Sequence, residues 1–152
     1  MKPEEILQNL PYAKPFLFVD ELLYVDENGA KGLFTFSQEM DCYKGHFKDH
    51  PVTPGVLLTE CCAQIGLVCL GSYLLGQESS ATIAERLQIA LSSSEMEFLL
   101  PVFPNETVTV VSEKVYYRFQ KLKCKVKMFN EKNELVCRGT LSGMLIKRMD
   151  AE

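Results

Sequence analysis

The chain has 152 residues, 47% of them hydrophobic and 24% charged; this suffices to bury a core and reads as one globular unit spanning 1–152. Its net charge of −4 disfavours nucleic acid as a partner, because a phosphate backbone is recognised by positive charge. Six cysteines show no C-x-x-C spacing, so neither a metal site nor a redox cofactor is signalled. They read as small core residues of a reduced, cytoplasmic chain.

Met1 begins a charged segment, Lys2 to Glu5, with no apolar signal core behind it. Residues 4–9 have the pattern of a short amphipathic helix that Pro11 stops. Residues 16–25, rich in aromatic and branched side chains, predict a strand. Asp26-Glu27-Asn28-Gly29 is a turn signal, its Asn-Gly pair suited to positive φ, and 30–37 is the partner strand of a hairpin. Residues 40–54 form an irregular loop holding Gly45, Pro51 and Pro54.

From Gly55 to about Leu75 the chain is apolar nearly all round, which predicts one long helix covered on most sides. It is no membrane span: Pro54 and Gly55 interrupt its start, and Glu60 and Gln64 leave only residues 65–75 clean, short of the roughly 20 residues a span needs. A loop over 76–80 and an ambiguous segment at 81–87 follow, then a strand over 88–100. Pro101 and Pro104-Asn105-Glu106 mark a corner. Three strands complete the chain at 107–119, 122–130 and 135–147, with turns at 120–121 and 131–134. The middle one alternates cleanly, Lys121, Lys123, Lys125 and Lys127 against Leu122, Cys124, Val126 and Met128, so one face is wet and the other packed. A helix this apolar needs a sheet around it, which is an α+β layer arrangement.

The chemistry-bearing residues lie close together: Gly45-His46-Phe47, then Pro51-Val52-Thr53-Pro54-Gly55-Val56-Leu57, then Glu60 and Gln64. His46 is a candidate base, since an imidazole can accept a proton near neutral pH. Glu60 sits among Leu, Cys, Ala and Ile, where desolvation favours the protonated acid. The Gly55 N–H stands at a helix start with no Cβ to obstruct a ligand, and the helix dipole favours negative charge there. Gln64, one helical turn after Glu60, either orients it, holds a water or bonds structurally. His50 reads as a loop residue.

These residues, with Leu10-Pro11 and Pro15-Phe16-Leu17-Phe18-Val19-Asp20 before them and Phe98-Leu99-Leu100-Pro101-Val102 after, resemble the FabZ-type 3-hydroxyacyl-acyl carrier protein dehydratases. The resemblance implies a hot-dog fold, a curved antiparallel sheet wrapped around a long central helix. It implies dehydration of a carrier-linked 3-hydroxyacyl thioester to the trans-2-enoyl thioester, in fatty-acid synthesis or a related polyene or lipid pathway. It also implies a homodimer, or a higher oligomer built on it, with the catalytic His of one subunit facing the Glu of the other. Mapped onto this chain, the catalytic residues are His46, Glu60 and Gly55, and Phe47, Pro54, Val56, Gln64 and Phe98 bind substrate. The partner is an acyl carrier protein bearing a phosphopantetheine-linked acyl chain; no cofactor is required.

Several positions depart from the family pattern. Tyr12-Ala13 replace the usual His-Arg, Lys48-Asp49 replace Pro-Gly, Thr53 replaces Met, and Asn105-Glu106 replace Gly-Asp. Leu99 and Leu100 stand where basic residues usually dock the acidic carrier, leaving Lys44, Lys48, Lys121 and Lys123 as candidates for that patch. Two other readings compete: a hot-dog thioesterase, for which the Gly-His-Phe loop would be unusual, and a non-catalytic acyl-binding subunit, against which intact His46 and Glu60 argue.

Overall fold

The computed structural model describes residues 1–78 and 87–147. Helix α1 (Pro3–Gln8) begins with a proline, whose missing N–H costs nothing in a first turn, and carries Glu4 and Glu5 at the positive end of its dipole. Ile6 anchors it in the core. Strand β1 is only Glu21–Val25, shorter than the 16–25 expected. Ahead of it, Phe18 N–H donates to Gln64 Oε1 at 2.8 Å, and Gln64 Nε2 donates to the Phe16 carbonyl at 3.1 Å. A glutamine side chain thus takes the place of a neighbouring strand.

Strand β2 (Ala30–Thr35) pairs antiparallel with β1. The turn between them is held by the Asp26 carboxylate, which accepts from the N–H groups of Asn28 and Gly29. The positive φ expected at Asn28-Gly29 is absent. Gly29 is required for a different reason: a side chain there would run into the backbone carbonyl of Ser112.

The long helix runs as α2 (Gly55–Cys62), a π-helical turn (Ala63–Val68) and α3 (Cys69–Glu78). It extends past the expected end at 75, so 76–78 are helical and not loop. Residues 79–86, which hold the rest of that expected loop and most of the ambiguous 81–87, lie outside the described residues. Every residue of the π-helical turn is buried. Gly66 sets its distance from the sheet: a Cβ there would lie 2.8 Å from Val126 Cγ1 and 3.0 Å from Ser112 Cβ. The segment Gly55–Gln77 is long and apolar enough to cross a membrane by length and composition, but the fold buries 67% of its most apolar window. It is the core helix.

The remaining strands are β3 (Leu87–Phe98), β4 (Thr107–Arg118), β5 (Lys121–Phe129) and β6 (Leu135–Lys147). All pairs are antiparallel, in the order β1-β2-β4-β5-β6-β3. The β4–β5 turn is Phe119-Gln120, both at positive φ, one residue earlier than expected. On β5 the alternation holds: Leu122, Cys124, Val126 and Met128 are buried, and the lysines take the other face. The helix packs on the inner face through its π-helical turn, which touches β2, β4, β5 and β6. By strand order β1 and β3 are the sheet edges, so the 12-residue β3 presents one side of its backbone unpaired.

Candidate active site

The loop before the helix is built around a short 3₁₀ turn (Asp41–Lys44). Its end fixes His46, whose backbone N–H donates to the Cys42 carbonyl at 2.9 Å while its own carbonyl accepts from Val52 N–H at 2.9 Å. The His46 ring nitrogen Nδ1 lies 2.9 Å from the Val52 carbonyl. A carbonyl oxygen can only accept, so Nδ1 carries the proton and Nε2 of the neutral ring carries the lone pair. Phe47 stacks on the imidazole at 4.1 Å and 26°. His50 closes the 47–50 turn through reciprocal backbone bonds with Phe47 and is exposed.

Thr53 ties this loop to the corner after β3. Its N–H donates to the Val102 carbonyl at 2.8 Å, and its hydroxyl shares a 2.5 Å hydrogen bond with Tyr43. Thr53 and Tyr43 are both buried, so Thr53 has its own polar partner inside the core. Helix α2 then starts after Pro54, whose carbonyl accepts from both Leu57 and Leu58. The N–H groups of Gly55 and Val56, at the first two positions, have no intrahelical acceptor and sit at the positive end of the dipole. The Phe98 ring lies over Gly55, with Cζ 3.3 Å from where a Cβ would stand. Thr53, Gly55, Leu58, Phe98 and Leu99–Pro101 line a recess of about 270 Å³ there. Val56 is 76% exposed and Phe47 58%, so the sequence-expected binding residues Phe47, Val56 and Phe98 border open surface.

Glu60 lies in the second turn, half-buried. Burial raises its carboxyl pKa, and the hydrogen bond from Gln64 Nε2 to Oε2 at 3.0 Å offsets part of that rise. Gln64 itself is fully buried, and its amide is held by Phe18 N–H, the Phe16 carbonyl and Glu60. The amide thus bonds structurally, to Phe16 and Phe18, and at the same time holds one oxygen of Glu60. The Tyr12 phenol is pushed up to about 12, first by burial and then by the Glu60 charge. Within one chain, among the described residues, no hydrogen bond or ion pair joins His46 to Glu60.

A second, larger feature was not read from the sequence. An apolar groove of about 600 Å³ is lined by Phe16, Phe18, Phe34, Met40, Cys42 and Leu57, among others. Phe16, Phe18 and Phe34 run edge to face along it, with centroids 5.0 and 5.6 Å apart, and Phe34 meets the core residue Phe36 behind it at 4.8 Å. Leu57 places it one helical turn before Glu60. The alternating Phe34-x-Phe36 and Phe16-x-Phe18 spacings were its only trace in sequence. No cluster of three or more His, Cys, Asp or Glu side chains among the described residues could hold a metal.

A six-stranded antiparallel sheet packed on one long central helix is the hot-dog fold. The dehydratase heterocomplex ApeI:P from Xenorhabdus doucetiae shares it, with a TM-score of 0.77 at 13% identity over 97% of this chain and 93% of that one. The FabA-like domain model matches residues 10–140. The curated 3-hydroxyacyl-[acyl-carrier-protein] dehydratase FabZ of Sinorhizobium fredii is 30% identical over 97% of this chain and 92% of its own length. That of Caldicellulosiruptor saccharolyticus is 31% identical, over 90% and 92%. The chain therefore belongs to the FabA-like family, on its FabZ side, a family of hydro-lyases.

Proposed function

We propose that this protein dehydrates a 3-hydroxyacyl thioester, carried on an acyl carrier protein, to the trans-2-enoyl thioester. The observation that carries the reading is the His46 ring, held by the Val52 carbonyl so that Nε2 keeps the lone pair, in a loop whose next residue, Thr53, lines the recess at the helix start. In the reaction Nε2 takes a proton from the α-carbon. The electron pair left behind forms the new double bond as the β-hydroxyl departs, and the protonated Glu60 carboxyl gives that hydroxyl the proton that makes it water. The Gly55 N–H receives the negative charge that gathers on the thioester oxygen. Raised by desolvation, Glu60 suits the role of acid. Gln64 is a positioning residue that holds this carboxyl against the helix.

In this reading residues 1–152 form one hot-dog unit and two units make the site. His46 and Gly55 come from one subunit and Glu60 from its partner, which fits the absence of a hydrogen bond or ion pair between His46 and Glu60 within a chain. Two features support pairing: the free edge of β3, and the exposed Val56, Phe98, Leu99 and Leu100 around the helix start. Phe47, Pro54, Val56 and Phe98 border the thioester, and the groove of Phe16, Phe18 and Phe34 offers the acyl chain a dry place to lie. Lys44 and Lys48, exposed in the His46 loop, are where an acidic carrier would meet positive charge beside the site.

Mass spectrometry of the purified protein with 3-hydroxyacyl carrier-protein and coenzyme A thioesters tests this. A product lighter by one water supports dehydration. Release of free 3-hydroxy acid would show a thioesterase, and unchanged substrate a binding subunit.

A further inference from the structure

The far end of the sheet carries a surface that the dehydration chemistry does not use. The 14 residues from Lys114 to Lys127 hold six of the chain's 16 Lys and Arg and no acid, in a chain whose net charge is −4. At their centre is the β4–β5 turn, where Phe119 is 94% exposed between Arg118 and Gln120. Register places Lys121 opposite Arg118 on one side and Met144 on the other, and Lys123 opposite Tyr116. Arg118 lies 4.6 Å over the Tyr116 ring. Met144 and Ile146, 51% and 50% exposed, face out beside them. A protruding aromatic and two aliphatic side chains are thus framed by cations, with Glu113, opposite Lys125, the nearby acid on β4.

We infer that this hairpin tip docks on an anionic lipid bilayer. Phe119 enters the interfacial layer, Met144 and Ile146 follow, and Arg118, Lys121 and Lys123 meet the headgroups. The composition matches what peripheral membrane binding needs: an apolar element that gains from leaving water, and clustered Lys/Arg that gain from a negative surface. An acidic carrier protein is the other class that positive charge attracts, and the position of the tip argues against it. Leu122 packs against Gly71, and about 24 Å of helix separates Gly71 from Gly55. A carrier seated at the tip would hold its thioester at the wrong end of the core helix. Lys121 and Lys123 are removed from the candidate carrier-docking patch on the same ground.

The test is sedimentation of the full-length protein with vesicles of phosphatidylcholine alone and of phosphatidylcholine with one part in three phosphatidylglycerol. Sedimentation is expected with the anionic vesicles only, with release by added salt. Phe119→Ser should weaken it by at least about tenfold, and Lys121→Glu with Lys123→Glu by about fivefold or more per charge. Because the chain contains no tryptophan, Phe119→Trp supplies a single reporter whose emission should shift to the blue on anionic vesicles. No sedimentation at low salt, no emission shift, or sedimentation indifferent to Phe119→Ser would overturn the proposal. Binding of an acidic carrier protein that depends on Lys121 and Lys123, without vesicle binding, would do the same.

Discussion

At its Gly55 end the long helix meets a loop that keeps polar groups accessible: two first-turn N–H groups, a ring nitrogen and a half-buried carboxyl. At its other end Cys69, Leu70, Leu74 and Leu75 are buried, and Gly71 lets Ile89 and Leu122 close over the helix. The difference teaches that one element serves two purposes along its length. The α3 end supplies apolar burial that the fold depends on. The Gly55 end leaves some of that burial incomplete, and the polar groups there are the ones the proposed dehydration uses. Substitutions at the two ends should therefore separate, with activity lost at one and stability at the other.

His46→Ala should have the largest effect, a loss of turnover on the order of a thousandfold with an unchanged melting temperature. Steady-state dehydration followed beside thermal unfolding measures both, and substantial retained turnover would remove the base assignment. Glu60→Gln should cost about a hundredfold or more, because an amide cannot supply the proton. It should also change the pH dependence of stability. The Glu60 carboxyl has a raised pKa in the fold, so the folded chain holds a proton there that the unfolded chain has already released. Stability from this group falls as pH rises from the unfolded value through the folded one, and is level above it. Denaturant titrations across that interval should find the slope reduced in Glu60→Gln and the variant more stable than the parent at neutral pH.

Leu122→Ala at the opposite end should cost roughly 2–5 kcal/mol, since Leu122 is fully buried against the helix. Turnover per folded molecule should stay that of the parent; a change in KM would mean the two ends are coupled. Smallest is Gly55→Ala, whose Cβ would meet the Phe98 ring at 3.3 Å. Phe98 is 48% exposed, so a small shift of its ring should leave stability nearly unchanged, while the methyl beside the N–H should lower kcat/KM by about tenfold.

Much of this molecule was readable before its fold was seen, for a physical reason. Period-two alternation on β5 and all-round apolarity of the helix are local patterns, and they place Leu122, Cys124 and Ile65 in the core without knowledge of their partners. Residue types in the His46 loop and the Glu60 setting are local too. What stayed hidden depends on contacts between distant parts of the chain. Gln64 reaches 46 residues back to Phe18 and stops the strand expected there. Gly29 is fixed by Ser112, and the Thr53 hydroxyl is satisfied by Tyr43. The tautomer of His46 follows from the Val52 carbonyl, a backbone atom no motif records.

Subunit mixing tests the shared site most directly. His46→Ala and Glu60→Gln, each inactive alone, are unfolded together and refolded. Random pairing in a two-fold dimer leaves one intact site in each mixed dimer, so about a quarter of the parent's turnover should return. A mixture as inactive as its components, although mixed dimers form, would contradict a site made from the imidazole of one chain and the carboxyl of another.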